Sequence, residues 1–287
     1  MKLRIGTRSS PLALVQAKMV ENRIKAAYPK TETEIIATMT KGDRNPAQPI
    51  TALGGHGVFV TEMEEALLNS TYDIAVHSAK DLPPRLLEGL EISGVLPRGD
   101  YREAVITRRG ETVVDDPAFI VGTGSVRRRL NMQRLYPSVG FRSIRGGVDK
   151  RMEKLLAGEY DALILAMAGL ERLGFLTDSR FEITPYAYTE FIPPPSQGII
   201  AIESRVSDLA GEIIKKISDR DTFASFESEY AVVELLSAEC ETPLGAYSFV
   251  DRDEIALAVC LGNEKMISDT YPLKNRLALA RDLVNQL

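Results

Sequence analysis

The chain has 287 residues, of which 44% are hydrophobic and 26% are charged. These are ordinary globular values that exclude a disordered or fibrous chain, and the length favours two or three domains. Lys and Arg number 35 against 40 Asp and Glu, which gives a net charge of −5. General nucleic-acid binders carry a basic footprint, so we expect no nucleic-acid partner. Any anion that the protein binds must be held by a local basic cluster.

The sequence also carries little sign of targeting or redox function. The opening MKLRIGTRSS has no apolar stretch behind its charged beginning, and no run approaches the ~20 apolar residues of a membrane helix. The two cysteines, Cys240 and Cys260, are too few for a disulfide framework and are not spaced as metal ligands. We therefore expect a cytoplasmic protein with no membrane association and no metal site. Since the sequence shows no long exposed apolar stripe, we also expect a monomer.

Short apolar runs alternate with amphipathic stretches through the first two thirds of the chain. The first series is a strand at 2–6, a helix at 12–27 that Ser10 and Pro11 open, a strand at 34–37, a helix at 60–69 and a strand at 73–77. The second series has strands at 104–107, 119–122, 141–144 and 162–166, and helices at 126–136, 148–157 and 167–173. This alternation is typical of α/β units around largely parallel sheets.

The remainder of the chain differs in character. The consecutive prolines of Phe191-Ile-Pro-Pro-Pro-Ser-Gln-Gly198 predict a rigid, extended connector. A strand at 199–203 should rejoin an earlier sheet, and helices at 208–217, 222–236 and 274–286 and strands at 246–250 and 255–261 follow. We therefore predict an α/β protein with two similar-sized domains and a small C-terminal α+β domain. The predicted boundaries are 1–97 with 196–217, then 98–192, then 218–287.

Common catalytic signatures are missing from the sequence. There is no phosphate-binding loop that ends in Lys-Ser or Lys-Thr, and Gly122-Thr-Gly124 lacks the third glycine of a dinucleotide fingerprint. His56 and His77 are the only histidines, which disfavours a zinc site, and no nucleophile-elbow sequence supports a serine triad.

Arginines recur instead at the ends of predicted strands and at the starts of helices. These residues are Arg8, Arg127, Arg128, Arg129, Arg145, Arg151 and Arg172. In open α/β sheets, ligands bind outside the carboxyl ends of the strands, where guanidinium forks suit carboxylates. The alternative is solvated surface charge. That alternative is less attractive for Arg127 and Arg128, because cations oppose the dipole at a helix N-terminus and no local structural gain is visible in the sequence.

Two further segments could carry chemistry. His77, Ser78, Lys80 and Asp81 follow a buried strand, and the Asp81 carboxylate could handle protons or stabilise a cation there. Lys80 beside Asp81 could equally be an ordinary exposed pair, and a local hydrogen bond is the simpler role for His77. Cys240 lies in a polar loop and could be reactive, whereas Cys260 fits a buried strand.

These segments together resemble the porphobilinogen deaminase (hydroxymethylbilane synthase) family. The resemblance is carried, in order along nearly the whole chain, by Ile5-Gly-Thr-Arg-Ser-Ser-Pro-Leu-Ala-Leu14, Asp73-Ile-Ala-Val-His-Ser-Ala-Lys-Asp81, Gly122-Thr-Gly-Ser-Val-Arg-Arg128, Arg145-Gly146, Glu159-Tyr-Asp-Ala162, Ala168-Gly-Leu-Glu-Arg-Leu173, Gln197-Gly198 and Cys240-Glu-Thr-Pro-Leu-Gly245. Each motif alone is weak, but the combination is specific.

The resemblance implies a fold and an activity. The first two domains should resemble those of flytrap-type (type II periplasmic) binding proteins. A dipyrromethane cofactor should be tethered by a thioether to Cys240 in the third domain. Four porphobilinogen molecules should be joined head to tail with loss of ammonia, and hydrolysis should release hydroxymethylbilane.

The resemblance also implies roles for individual residues. Asp81 matches the catalytic carboxylate that stabilises the electron-poor ring left by loss of ammonia. The cofactor should be held by Lys80, Asp81, Thr123, Ser125, Arg127 and Arg128. The incoming substrate and the elongating chain should be served by Arg8, Ser10, Arg145, Arg151 and Arg172, although the division of tasks among these residues stays open.

The sequence departs from the family pattern in several places. Ala52, His56 and Thr61 stand in the glycine-rich lid where lysines are common, and Gly147 replaces a usual asparagine. Ala238 and Glu239 replace paired glycines before Cys240, where the acidic neighbours should make the thiolate less available. We therefore expect slow cofactor attachment or low turnover, and a gain in turnover for Glu239→Gly. Two alternatives remain, a cofactor-bearing paralogue with impaired elongation and a cytosolic anion-binding flytrap protein.

Overall fold

The computed structural model describes residues 2–39, 60–239 and 241–287, and three β-sheets organise them. The strands are β1 Lys2–Arg8, β2 Glu32–Thr38, β3 Ile74–Ser78, β4 Leu90–Val95, β5 Glu103–Arg108, β6 Ile120–Gly122, β7 Gly140–Arg142, β8 Ala162–Ala166, β9 Phe181–Tyr186, β10 Ile200–Arg205, β11 Leu244–Asp251, β12 Glu254–Leu261 and β13 Ile267–Pro272. The helices are α1 Pro11–Ala27, α2 Thr61–Leu68, α3 Val126–Leu135, α4 Val148–Leu156, α5 Met167–Arg172, α6 Leu209–Ile217, α7 Arg220–Leu236 and α8 Arg276–Val284. Short 3₁₀ turns lie at Ala79–Asp81, Phe175–Thr177 and Leu273–Asn275.

Sheet A has the strand order β2-β1-β3-β10-β4. Strand β1 is parallel to β2 and β3, whereas β10 is antiparallel to both of its neighbours, β3 and β4. Helices α1 and α6 cover one face through Val20, Ile24 and Ile214, which pack on Ile5 and Ile202 of the strands. Helix α1 begins as its sequence predicts, because Ser10 Oγ accepts a hydrogen bond from the Ala13 N–H and Pro11 takes the first helical position.

Sheet B repeats this pattern with the order β7-β6-β8-β5-β9. Strand β6 is parallel to β7 and β8, and β5 is the antiparallel strand between β8 and β9. Met152 and Leu155 of α4 pack on one face, and Met132 of α3 packs on the other. The antiparallel strand of each sheet is thus contributed by a segment that has just crossed over from the other sheet. The two crossings bring the carboxyl ends of the parallel strands of both sheets to a common cleft.

Sheet C is a small antiparallel sheet of β11, β12 and β13. Its core side chains Ile255, Leu257 and Val259 pack against Val232 of α7 and Leu279 of α8.

The predicted fold class is confirmed, because two largely parallel α/β sheets are followed by a small α+β unit. The strand at 199–203 does rejoin an earlier sheet, as β10. Three strands escaped the sequence analysis, namely β4, β9 and β13. The first and last residues of several elements also differ from the predicted ones, and the final helix begins with a 3₁₀ turn. The predicted domain boundaries stay a prediction.

Candidate functional site

The predicted site residues follow strands whose carboxyl ends lie at the cleft. Asp81 and Lys80 lie in the 3₁₀ turn after β3, and Arg8 ends the neighbouring strand β1. On the facing sheet, Thr123 and Ser125 lie between β6 and α3. The sequence positions of these residues are far apart, and the sheet topology brings them to one cleft.

The buried arginine pair at the start of α3 is bound to a buried carboxylate, Glu103. Arg128 donates from Nε (3.0 Å) and Nη2 (2.8 Å) to the two Glu103 oxygens. Arg127 donates from Nη2 to Glu103 Oε1 and from Nη1 to the Ile192 carbonyl oxygen. Burial alone would raise the pKa of Glu103, but Arg128 and Arg127 hold it well below its usual range. The three side chains form one buried, charge-assisted network.

This network corrects one step of the sequence argument. We expected no local structural gain from Arg127 and Arg128 at a helix N-terminus, and the structure provides one in Glu103. The carboxylate is fully buried at the start of β5, directly beneath the first turn of α3. The anionic partner that the two arginines required is therefore, at least in part, a protein side chain.

Lys80 lies within electrostatic reach of the same network from the opposite side of the cleft. Its Nζ donates to Gln197 Oε1 at 3.2 Å. Burial and, to a smaller extent, the neighbouring Arg128 together lower the pKa of Lys80 to about 8, although Asp81 and Glu103 oppose the shift. A lysine with this pKa is charged at neutral pH, but the nearby carboxylates do not fully offset its burial and the repulsion from Arg128.

Arg151 completes the charged lining of the cleft. Burial, with smaller effects of Arg128 and Arg145, lowers the pKa of Arg151 to about 10, although Asp81 opposes the shift. Its Nε donates to the Gly146 carbonyl oxygen at 2.8 Å. Asp81 therefore lies in the field of at least two cations, Lys80 and Arg151, which come from different sheets.

The other predicted site residues have mainly structural contacts. Ser125 Oγ accepts from the Arg128 N–H (3.3 Å) and caps α3, as Ser10 caps α1. Thr123 Oγ1 accepts from the Ser125 N–H at 3.2 Å. Arg172 Nη2 donates to the Gly198 carbonyl oxygen (2.6 Å), and burial lowers its pKa to about 10. Arg172 is thus held at the crossing segments between the sheets.

His77 makes the local hydrogen bond that its position suggested. Its Nε2 lies 3.0 Å from Glu203 Oε2 on the paired strand β10, and both side chains are buried. The ring contributes to the packing of sheet A rather than to the cleft.

Sequence reasoning missed Glu103 and Gln197 as parts of the site. Glu103 was the one acid within an otherwise apolar strand that begins at the cleft, which is a usable signal. Gln197 is fully buried, and its Nε2 donates to the Tyr101 carbonyl oxygen at 2.9 Å while its Oε1 accepts from Lys80. The residues next to Gln197 in the sequence do not predict this bridge between Lys80 and Tyr101.

The cleft has the charge that a polycarboxylate requires. The groups that interact electrostatically with Lys80 and Arg151 include the cations Arg127, Arg128 and Arg145 and the acids Asp81 and Glu103. Neighbouring cations repel one another, which lowers their pKa values. An anionic group that binds between them relieves this repulsion and is therefore bound favourably. The residues present therefore fit a dipyrromethane group, which carries several carboxylates.

Some of the residues singled out in the sequence lie outside the described part of the chain. Cys240, Ala52 and His56 lie outside the described residues. Across residues 2–39, 60–239 and 241–287, no cluster of three or more His, Cys, Asp or Glu side chains could hold a metal ion. No helix in that part of the chain is both long and apolar enough to cross a membrane.

Comparisons with known proteins give a consistent result. Residues 3–212 match the family model described as porphobilinogen deaminase, dipyrromethane cofactor binding domain. A porphobilinogen deaminase of Streptococcus sanguinis is 37% identical over 265 residues, covering 91% of this chain and 87% of the relative. Those of Rickettsia akari and Rickettsia bellii are 39% and 40% identical over 272 and 264 residues, covering 94% and 91% of this chain and 90% and 87% of the relatives.

Solved structures with a similar arrangement include the VFT2 domain of Bordetella pertussis BvgS, with a TM-score of 0.45, 16% identity, and 83% of this chain and 93% of that domain covered. The LysR-family regulator CbnR gives a TM-score of 0.49 at 10% identity, with 78% of this chain and 69% of that chain covered. The family model and the relatives cover most of the chain at substantial identity. The chain belongs to the porphobilinogen deaminase family.

Proposed function

We propose that the protein is a hydroxymethylbilane synthase that joins four porphobilinogen molecules head to tail on a covalently bound dipyrromethane. Each addition releases ammonia, and hydrolysis finally releases hydroxymethylbilane for porphyrin synthesis. The observation that carries this proposal is the Asp81 carboxylate at the end of β3, flanked by incompletely compensated cations from both sheets. Family membership supplies the reaction class.

Binding of substrate follows from the charge of the cleft. Each pyrrole ring carries an acetate and a propionate, and guanidinium groups bind carboxylates through paired hydrogen bonds. Arg8, Ser10, Arg145, Arg151 and Arg172 serve the substrate and the growing chain in this proposal. The partial burial of the cleft strengthens these interactions relative to those in water.

Asp81 acts on the ring from which ammonia has left. Loss of the aminomethyl nitrogen leaves an electron-poor pyrrole, whose positive charge spreads onto the ring nitrogen. A carboxylate fixed near that nitrogen stabilises the charge as it develops and accepts a hydrogen bond from the N–H. Lys80 and Arg151 interact electrostatically with the Asp81 carboxylate and keep it within the charged part of the cleft.

The dipyrromethane, when bound, supplies the pyrrole end that each incoming unit extends. Cys240 tethers it, and Lys80, Thr123, Ser125 and Arg128 hold it within the cleft in this proposal. Arg127 takes part through Glu103, because its guanidinium already donates to Glu103 and Ile192. A cytoplasmic location, a monomeric state and the absence of a nucleic-acid partner stay predictions.

Substitution of Asp81 tests the proposed function. We expect Asp81→Asn to lower the rate of hydroxymethylbilane formation from porphobilinogen by about 10²-fold or more, because it removes a stabilising charge. The control is Asp253→Asn, which changes a fully exposed carboxylate far from the cleft. Product formation at the wild-type rate in Asp81→Asn would contradict the proposal. Porphobilinogen binding without product in the wild type would favour the anion-binding alternative.

A further inference from the structure

Arg129 and Arg142 are exposed arginines that keep an uncompensated charge at the cleft edge of sheet B. Among the described residues, neither guanidinium forms an ion pair or a side-chain hydrogen bond. Each lies instead over an aromatic ring. Arg129 Cζ is 5.6 Å from the centre of the Phe141 ring, and Arg142 Cζ is 4.6 Å from that of Tyr160. Such cation–π contacts restrain a side chain without neutralising its charge.

Arginines at the end of sheet B that lies away from the cleft make different contacts. Arg108 Nε donates to Glu111 Oε1 at 2.9 Å, and Arg180 Nη2 donates to Asp178 Oδ2 at 2.6 Å. The charge of Arg129 and Arg142 is therefore a property of the cleft edge and not of this sheet in general.

Both arginines flank the loop that joins β6 to α3. The Thr123 N–H donates to the Arg142 carbonyl oxygen at 3.1 Å, and the Arg129 N–H donates to the Ser125 carbonyl oxygen at 3.0 Å. Strand β7, which Arg142 ends, is the outermost strand of sheet B. The backbones of Arg129 and Arg142 are thus both hydrogen-bonded to the loop that carries Thr123 and Ser125.

The inner cluster has a limited number of open donors for carboxylates. Arg127 and Arg128 already bind Glu103, and Arg172 donates to Gly198. Every added pyrrole ring brings two more carboxylates into the cleft. A lengthening chain therefore gains from further cations, and Arg129 and Arg142 are exposed cations of sheet B without an ion-pair partner among the described residues.

We infer that Arg129 and Arg142 form an outer carboxylate subsite, which binds acetate and propionate groups of the elongating chain after the early additions. This inference rests on the proposed function, because only a growing polycarboxylate needs a second subsite. The early additions depend on the inner cluster around Asp81, and the later additions depend also on the outer subsite.

Intact-mass measurement of the covalent intermediates separates these stages. Holoenzyme of wild type, of the double variant Arg129→Gln/Arg142→Gln and of the control Arg109→Gln is mixed with porphobilinogen and quenched over time. Arg109 is exposed at the end of sheet B that lies away from the cleft, where it donates to the Ser179 carbonyl oxygen. In the double variant we expect the third and fourth additions to slow about fivefold or more, and the first to stay within about twofold of wild type. The control should match wild type at every stage.

Two further readouts report binding rather than turnover. Raising the ionic strength should slow the late additions of wild type more than those of the double variant, because exposed charge pairs are screened by salt. Hydrogen exchange of isolated complexes should show new protection at 126–131 and 140–145 in the three-unit complex but not in the one-unit complex.

Equal rates at all four stages in wild type and double variant would overturn the outer subsite, as would an equal slowing of every stage. A normal series of covalent intermediates in wild type would then leave the proposed function standing. Wild type that forms no such series would refute the proposed function, and the outer subsite with it.

Discussion

At the scale of single residues, the cleft is organised by charges that compensate one another incompletely. Glu103 neutralises part of the charge of Arg127 and Arg128, and it also attracts Lys80 electrostatically. Gln197 fixes the position of the Lys80 ammonium group without adding charge. The result is a site whose cations are already held by hydrogen bonds and still attract an anion.

The pKa of Lys80 predicts how anion binding depends on pH. Burial lowers this pKa to about 8, so the ammonium group loses its proton, and with it its attraction for carboxylates, as pH rises through 8. We expect cofactor uptake by the cofactor-free protein to slow above pH 8. In Lys80→Arg, whose side chain stays charged, this decline should be absent. Intact mass after incubation with preformed hydroxymethylbilane, at pH values from 6.5 to 9.5, measures uptake, and an identical pH profile for both proteins would contradict the role of Lys80.

Glu103→Gln should destabilise the protein strongly. Removal of one partner from a buried ion pair typically costs about 3–5 kcal/mol, because it leaves the arginines buried without a counter-charge. The matched control is Glu111→Gln, three residues after the same strand ends, whose half-exposed pair with Arg108 should change the free energy of unfolding by less than about 1 kcal/mol.

The pH dependence of this effect has a defined sign. A carboxylate whose folded pKa is lowered stabilises the fold fully above its unfolded pKa of about 4.5, and this stabilisation is lost only as pH falls below that value. The difference in unfolding free energy between Glu103→Gln and wild type should therefore be constant from pH 5.5 to 6.5, below the range in which Lys80 titrates. Urea unfolding measures it, and a difference below about 1 kcal/mol would show that Glu103 is not an essential counter-charge.

At the scale of elements, the connector after β9 is docked against β11. The Ala246 N–H donates to the Pro193 carbonyl oxygen at 3.0 Å. At Gly245 a Cβ would overlap Ile192 Cγ2 and lie 3.0 Å from Cγ1, so the two segments approach too closely for any side chain. Glycine is required here by the contact and not by its backbone conformation.

We expect Gly245→Ala to lower the free energy of unfolding by about 1–3 kcal/mol through overpacking. The control is Gly169→Ala in α5, where an added Cβ would meet Leu12 and Val148 only at 3.8 Å. Thermal unfolding of both variants provides the measurement. A melting temperature of Gly245→Ala equal to that of wild type would mean that the connector and β11 separate at no cost.

The strands that the sequence failed to predict each contain a residue that disfavours strand structure. These residues are Gly94 in β4, Pro185 in β9 and Asp269 in β13. All three strands lie at an edge of their sheet, and Pro185 is tolerated there because an edge strand can lack one ladder hydrogen bond. The central strands, which are buried on both faces, were predictable from their apolar runs.

The candidate site was predictable only in part. Asp81 and the arginines were found because their side chains follow strands whose carboxyl ends meet in an α/β fold. The pairing of Arg127 and Arg128 with Glu103 could not be predicted, because 24 residues separate Arg127 from Glu103 along the chain and only the register of β5 brings them together. The same holds for Gln197 and Lys80, which are 117 positions apart.

At the scale of the whole molecule, a second buried network joins all three sheets at the crossing segments. Arg98, which follows sheet A, donates to Glu229 of α7 at 2.6 Å and to the Ser248 carbonyl oxygen of β11 at 3.2 Å. The Gly99 N–H donates to the Gly198 carbonyl oxygen at 3.1 Å where the two crossings meet. The crossing segments are therefore hydrogen-bonded to sheet C and to the helix that packs on it.

The central claim is that this chain carries a covalent dipyrromethane on Cys240 and extends it with porphobilinogen. The most direct test is the intact mass of the denatured wild-type protein beside that of Cys240→Ser. We predict a mass excess of one dipyrromethane in the wild type and none in the variant. Wild type that remains unmodified, even after incubation with porphobilinogen or preformed hydroxymethylbilane, would contradict the claim.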